Sequence, residues 1–343
     1  MGWLKLKEVG MKDGHIRKLM NIYNRYDELF REENFRLFNS GLKKNLEKSR
    51  NINLDSKTEF YKRNKVRIID ANSQGYPEKL KELTDYPLFL YVKGKELKKG
   101  LNDERRNIAV VGTRKVTKFG KSACEKIVRE LLEYEVTLIS GLAEGIDTVA
   151  LSASVEKDGS AIAVVGSGLD IVYPYENKIL WEKISENGIL ISEHPLGTKP
   201  LKWNFPKRNR IIAALSDGIL IAESFKSGGA LITAELGFIM DKEIFAVPGF
   251  INYPSFEGCN NLIKENKAKL VTTGEDIARE FLWDLKNRKN KTDKLTYEEK
   301  IVFLQLSEEY GLEEIMKKIK SFNMNNDNNK NRDTLFENEF RPE

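Results

Sequence analysis

The sequence predicts an α/β fold: a doubly wound, mostly parallel sheet with a small helical N-terminal domain and a short helical C-terminal extension. Two observations predict it. Seven short apolar runs lie between residues 107 and 285: "IAVVG" (108–112), "TLISG" (137–141), "AIAVVG" (161–166), "GILISE" (188–193), "GILIAES" (218–224), "EIFAVPG" (243–249) and "AKLVT" (268–272). They are apolar without alternation, as strands buried on both faces must be. Helical patterns separate successive runs, which makes βαβ units of a parallel sheet.

The flanking segments differ in texture. Residues 1–65 are helical and polar. "LKLKEVGMKDGHIRKLMNIYNRYDELF" has apolar residues at helical spacing, broken by Gly10 and Gly14. That pattern suits a helix-hairpin-helix-like module or a helical cap on the main domain, and period alone does not separate them. Residues 66–106 form a pre-core connector whose two apolar runs predict short strands. Residues 286–320 combine the charged linker "KNRKNKTDKL" with helical stretches that resemble the opening of a winged helix, with too little chain to complete it. Residues 321–343 are Asn-rich and poor in apolar side chains, which predicts disorder.

Composition narrows the function classes. The chain has 343 residues, 40% hydrophobic and 32% charged, with a formal net charge of +5 and a pI near 8.8. That mild basicity implies no particular partner until its distribution is known. Cys124 and Cys259 are far apart and form no metal-ligand pattern, so free buried thiols in a reducing compartment are expected. The start lacks the apolar core of a signal peptide, and no run reaches the roughly 18 apolar residues of a membrane span. A soluble, cytoplasmic protein with no membrane partner is expected.

In a parallel sheet, ligands bind beyond the carboxyl ends of the strands. Here those ends carry "VVGTRKVTKFGKS", "SGLAEGID", "VVGSGLD" and "ESFKSGGALITAE". Glycines admit a ligand close to the backbone, and helix N-termini present free N–H groups, so several such ends form an anion-binding rim. Standard nucleotide fingerprints fail. Gly166-Ser167-Gly168 lacks the third glycine of a dinucleotide site, and "FGKS" (119–122) has Lys115 where a phosphate loop needs its first glycine. Of the two histidines, His15 and His194, only His194 follows a strand end, and it has no evident catalytic partner. No HExxH, CxxC or GxSxG occurs. No catalytic, metal or cofactor-binding residues are predicted.

One stretch stands apart. "KPLKWNFPKRNRII" (199–212) sets Lys199, Lys202, Lys207, Arg208 and Arg210 around Trp203 and Phe205, with no carboxylate. Read as a loop, it supplies cations for a phosphate backbone and an aromatic face for an unpaired base, the two components of a single-strand site. Arg114, Lys115, Lys118 and Lys121 stand at the rim of the first core strand, and Lys226 at that of the fifth. No helix offering Arg or Asn to a duplex major groove is evident.

Several stretches together carry a family resemblance: "VVGTRKVTKFG", "SGLAEGIDTVA", "AVVGSGLDIVYPYEN", "LISEHPLGTKP", "WNFPKRNRIIAALSD", "ESFKSGGALITAELG" and "FAVPGFINYPSFEGCNNLI". From about Ile68 to Ile277 the chain resembles the DNA-processing protein A family, DprA or Smf, of bacterial recombination mediators. The resemblance implies an extended Rossmann-like core that binds single-stranded DNA without hydrolysing it and needs no cofactor. It also implies protection of incoming strands, loading of the RecA recombinase during natural transformation, and a homodimer. Carried onto this chain, the implied DNA-binding positions are Gly112, Thr113, Arg114, Ser140, Gly141, Lys202, Phe205, Arg208, Asn209, Arg210, Ser227 and Gly228. The chain departs from the family at Leu151, where histidine is usual, and at Lys267-Ala268, where Gly-Ala is customary; the C-terminal winged helix looks truncated.

A second class of function competes. "SGGALITAE" (227–235) looks like the PGGxGTxxE loop of nucleotide phosphoribohydrolases. Glu235 is in register, but Leu231 and Ile232 replace the Gly-Thr pair. On that analogy the same pocket would serve a nucleotide sensor or a nucleoside-monophosphate hydrolase. A third option is a basic rim that meets acidic protein surfaces.

Overall fold

The computed structural model describes residues 2–95, 106–157 and 160–283. Two compact units divide the chain, Met1–Trp283 and Asp284–Glu343, and every described residue belongs to the first. The linker and winged-helix-like helices expected over 286–320, and the disorder expected over 321–343, lie outside the described residues.

Among the described residues nine strands form one sheet: β1 (Val66–Asp70), β2 (Phe89–Gly94), β3 (Asn107–Val111), β4 (Thr137–Ser140), β5 (Ser160–Val165), β6 (Ile189–Ser192), β7 (Gly218–Ile221), β8 (Glu243–Ala246) and β9 (Lys269–Leu270). Their spatial order is β1-β2-β6-β5-β4-β3-β7-β8-β9. Neighbours from β6 through to β9 pair in parallel, whereas β1–β2 and β2–β6 are antiparallel. The fold is therefore the expected doubly wound α/β architecture, and the two upstream strands extend the same sheet.

The helices are α1 (Gly2–Glu8), α2 (Asp13–Ile22), α3 (Glu32–Leu37), α4 (Ser40–Arg50), α5 (Leu54–Arg63), α6 (Lys118–Leu131), α7 (Ile146–Glu156), α8 (Lys178–Asn187), α9 (Asn204–Leu215), α10 (Gly229–Ile239), α11 (Glu257–Lys264) and α12 (Gly274–Glu280). No helix among the described residues is long and apolar enough to cross a membrane.

Strand side chains divide by parity. Ala109, Val111, Ile162, Val164, Ile219 and Ile221 pack under α9 and α10, in a core that takes in Ile211 to Leu215 and Ala230. Ala161, Ala163, Val165 and Leu190 face the other way, toward α8 and the N-terminal helices. Both faces being covered explains why the central strands are apolar throughout, whereas β9, expected to be buried on both faces, is an edge strand with Lys269 and Leu270 exposed. Cys124 and Cys259 are buried and free; burial pushes the Cys259 thiol up to about 12.

The N-terminal helices share that second core. Leu4, Leu6, Leu29 and Leu46 cluster with Tyr61, Tyr91 and Leu151. Polar contacts reinforce the packing: the Tyr61 and Tyr91 hydroxyls donate to Glu8 Oε1 at 2.6 and 3.1 Å, and Lys57 Nζ lies 2.9 Å from Glu8 Oε2. Leu151 is fully buried in this cluster and so serves packing.

Topology fixes where a ligand can enter. From β3 the chain winds through β4, β5 and β6 in one direction, then crosses by α9 to β7 on the far side of β3. The loops leaving β3 and β7 diverge there and open a crevice at their carboxyl ends. Leu6 is fully buried, and Leu6→Ala is expected to lower unfolding free energy by about 2–5 kcal/mol, measured by chemical denaturation.

Candidate nucleic-acid interface

A cleft of about 550 Å³ occupies the crevice. Gly112, Thr113, Arg114, Lys202, Phe205, Arg208, Asn209 and Gly228 all border it, so segments more than a hundred residues apart in sequence meet in one place. Ser140, Gly141, Arg210 and Ser227 do not border it.

The β3–α6 loop forms one wall. Thr113 N–H donates to Glu223 O at 2.7 Å, and Ile146 N–H donates to Thr113 O at 3.2 Å, which ties the loop to β7 and to α7. Glu223 is fully buried, and its Oε2 accepts the Thr117 N–H at 2.9 Å. A Cβ on Gly112 would approach Glu223 O to 2.8 Å, so the loop closes only around glycine. Gly145 opens α7 at φ +82°, and a Cβ there would sit 2.8 Å from Arg114 Cα; the missing side chain lets Arg114 fold over the cleft.

The opposite wall comes from α9, and here the sequence expectation needs correction. The basic-aromatic stretch was expected as a loop, but Asn204 onward is helix. Pro206 falls in the first turn, where a proline removes no helical hydrogen bond. Helical periodicity then scatters the cations. Lys202 is exposed on the rim, just before the helix. Arg208 points inward, with Nη1 donating to Gly141 O at 2.5 Å and to Val164 O. Arg210, about 200° further round the helix, turns away. Its Nη2 donates to Glu193 Oε2 at 2.8 Å, and its Nε lies 2.9 Å from Asp85 Oδ2. Lys207 joins the same buried Glu193 at 3.1 Å.

Phe205 is the centre of the cleft. Its half-buried ring lies 5.4 Å from the Tyr173 ring, and the Arg114 guanidinium sits 5.5 Å from its centroid. Among the described residues, no carboxylate lies within ion-pairing reach of Arg114 or Lys202. Trp203 is 69% exposed and stands outside the lining.

Two of the implied positions support the cleft from behind. Ser140 is fully buried and donates Oγ–H to Val110 O at 2.6 Å, and the Gly141 N–H donates to Asp147 Oδ2 at 3.1 Å. Ser227 is exposed on the loop before α10, where its neighbour Gly228 reaches the cleft. Sequence reasoning missed Tyr173 and Asp147. Tyr173 lay inside a quoted motif, but nothing local announces that it meets Phe205.

Charge in the cleft is predominantly positive. Burial lowers the Arg208 pKa to about 10, Asp147 opposes that shift and Arg114 adds to it, so Arg208 stays cationic at neutral pH. Asp147 is raised above the usual carboxylate range by burial, against the pull of Arg208 and two backbone N–H donors. Glu235, the carboxylate a phosphoribohydrolase would need, is exposed on α10 and outside the lining.

Comparison with known proteins places this arrangement. The family model described as DNA recombination-mediator protein A matches residues 67–282. DNA processing protein DprA of Streptococcus pneumoniae is 43% identical over 207 residues, covering 60% of this chain and 71% of the relative. The X-ray structure of DprA from that organism superposes with a TM-score of 0.70 at 33% identity, over 83% of this chain and 99% of the other. A structure describing the single-stranded DNA binding mode of DNA processing protein A from Helicobacter pylori superposes with a TM-score of 0.57 at 28% identity, over 63% of this chain and 95% of that one.

The Glu193 network behind α9 is a pH-sensitive element of stability. Burial raises the Glu193 pKa, but Arg210 and Lys207 outweigh it and hold the carboxyl below its ordinary value. Its neighbour His194 is lowered to about 4, by burial first and then by Lys7 and Lys207, against the pull of Glu193. The unfolded chain, with its histidine near 6.5, binds the extra proton first as pH falls. Stability contributed by neutral His194 is therefore present above about pH 6.5 and lost progressively toward pH 4. Denaturation midpoints measured between about pH 5 and 7 should rise with pH, and His194→Gln should flatten that rise.

Proposed function

The chain belongs to the DNA recombination-mediator protein A family, and on that premise we propose that its cleft binds single-stranded DNA without cleaving it. One observation carries this reading: a half-exposed phenyl ring sits under an arginine, in a cleft whose bordering cations Arg114 and Lys202 have no carboxylate partner among the described residues. A single strand needs both parts, cations for phosphates and a ring face for a base. Arg114 and Lys202 take phosphate oxygens, and the glycines at 112 and 228 let the backbone come close to them. Phe205, braced by Tyr173, stacks on a base. Asn209 offers hydrogen bonds from the wall, and Arg208 supplies fixed positive charge from the floor. Ser140 and Arg210 hold the walls in place through internal bonds, and Gly141 lines a small hollow that adjoins the cleft at Arg114, Tyr173 and Phe205.

The wider role follows from family membership. The protein is proposed to protect single strands and to pass them to the RecA recombinase during natural transformation, as a cytoplasmic homodimer. The H. pylori relative, whose structure concerns single-stranded DNA binding, supports the first step. A non-catalytic role is supported by the carboxylates: Asp147 is buried and occupied by backbone N–H groups, and Glu235 stands outside the cleft. Glu235's position gives the phosphoribohydrolase reading no support. Release of free base from purine nucleoside monophosphates would revive it.

Arg114→Ala and Lys202→Ala are each expected to weaken binding of oligonucleotides of any sequence. Each should also shrink the slope of log affinity against log salt by about 0.7, read by fluorescence anisotropy at several salt concentrations. Duplex of the same length should bind more weakly than the single strand. An unchanged slope in both variants would remove the phosphate track.

Phe205→Ala should cost about 1–3 kcal/mol of single-strand affinity with the salt slope intact, because a ring contacts a base and not a phosphate. Equal affinity would make Phe205 a packing residue.

A further inference from the structure

Three partly exposed aromatic rings lie together outside the cleft. Phe119, in the first turn of α6, is 56% exposed; Phe250 and Tyr253, in the loop after β8, are 66% and 42% exposed. They pack on one another: Phe119 lies 6.1 Å from Phe250 and 6.2 Å from Tyr253, and Phe250 lies 5.7 Å from Tyr253. Burying such rings in a core would be strongly favourable, so a surface cluster of this kind marks a contact site.

We propose that Phe119, Phe250 and Tyr253 form a second nucleobase-stacking platform, which carries a single strand onward from the cleft. The proposal rests on the cleft reading above and extends it. Position is the first argument. β3, β7 and β8 are adjacent, so the rings bridge the carboxyl edge of the sheet across the end of β7. The loops on either side are those that line the cleft: the β3 loop carries Arg114 and then Phe119, and the β7 loop carries Lys226 and then Gly228. Charge is the second argument. Lys118 and Lys121 are exposed beside Phe119, and Lys226 is 73% exposed, with Glu257 at 3.5 Å as its partner. Aromatic faces among cations match a polyanion bearing unpaired bases.

The test uses the full chain and the double variant Phe250→Ala/Tyr253→Ala. Both rings stand on the surface, so the fold should survive, checked by thermal melting. Oligothymidylates of about 5 and about 15 residues serve as probes, the shorter sized for the cleft alone. The variant should bind the longer strand about fivefold or more weakly, with an unchanged salt slope, and the shorter strand as the unaltered protein does. Arg114→Ala should weaken both. If the variant holds both strands normally, the platform is wrong while the cleft reading stands, and the rings serve a protein partner. If it loses both strands equally, the rings support the cleft and are no separate site. If the unaltered protein holds neither strand, the cleft reading falls and the platform falls with it.

Discussion

The cleft depends on one buried cation. Arg208 reaches from α9 under the ends of β4 and β5, where Nη1 donates to the carbonyls of Gly141 and Val164. A guanidinium withdrawn from water is costly unless its donors and charge are met. Those two carbonyls take Nη1 and the nearby Asp147 carboxylate offsets the charge, while the buried Nε has no hydrogen-bond partner; Asp147 in turn accepts the N–H groups of Gly141 and Ala143. The network fixes the height and rotation of α9 over the strand ends. That rotation brings Lys202, Phe205 and Asn209 to the crevice and sends Arg210 behind it, to Glu193.

The same arrangement gives the cleft its electrostatic character. Burial lowers the Arg208 pKa and the nearby Arg114 charge adds to that lowering, so negative charge placed between the two guanidinium groups would be favoured. The Phe205 ring under Arg114 accommodates the cation through its π face and packs at a 40° tilt against Tyr173. The positive charge is thus organised around an apolar surface. This suits a ligand that is charged along one side and flat and aromatic along the other.

Glu223 plays the matching part on the opposite wall. Its backbone carbonyl and carboxylate hold Thr113 and Thr117, so the β3 loop is fastened to β7 at the point where the sheet's winding reverses. The two walls are therefore each fixed by a buried charged residue just beyond a strand or within a helix, and the ligand-facing groups ride on them.

Much of this was legible in the chain itself. Strands covered on both faces must be apolar at every position, so the core strands and their order of helices could be read directly, and glycines at the strand ends announced a rim. The density of cations and rings in 199–212 suggested a polyanion with unpaired bases, the reading on which the proposed function rests. Which cation faces it could not be read, because consecutive helical positions differ by about 100° and no pattern in "KRNR" says where the helix starts or which side is covered. Tyr173 is brought to Phe205, and Ser140 is committed to Val110, by pairings between segments distant in sequence. Apolar runs and glycine-rich strand ends mark the sheet and its rim; the helical state of 204–215 and the assignment of each side chain to wall, floor or support are matters of packing, since only the assembled sheet determines which face of α9 remains open.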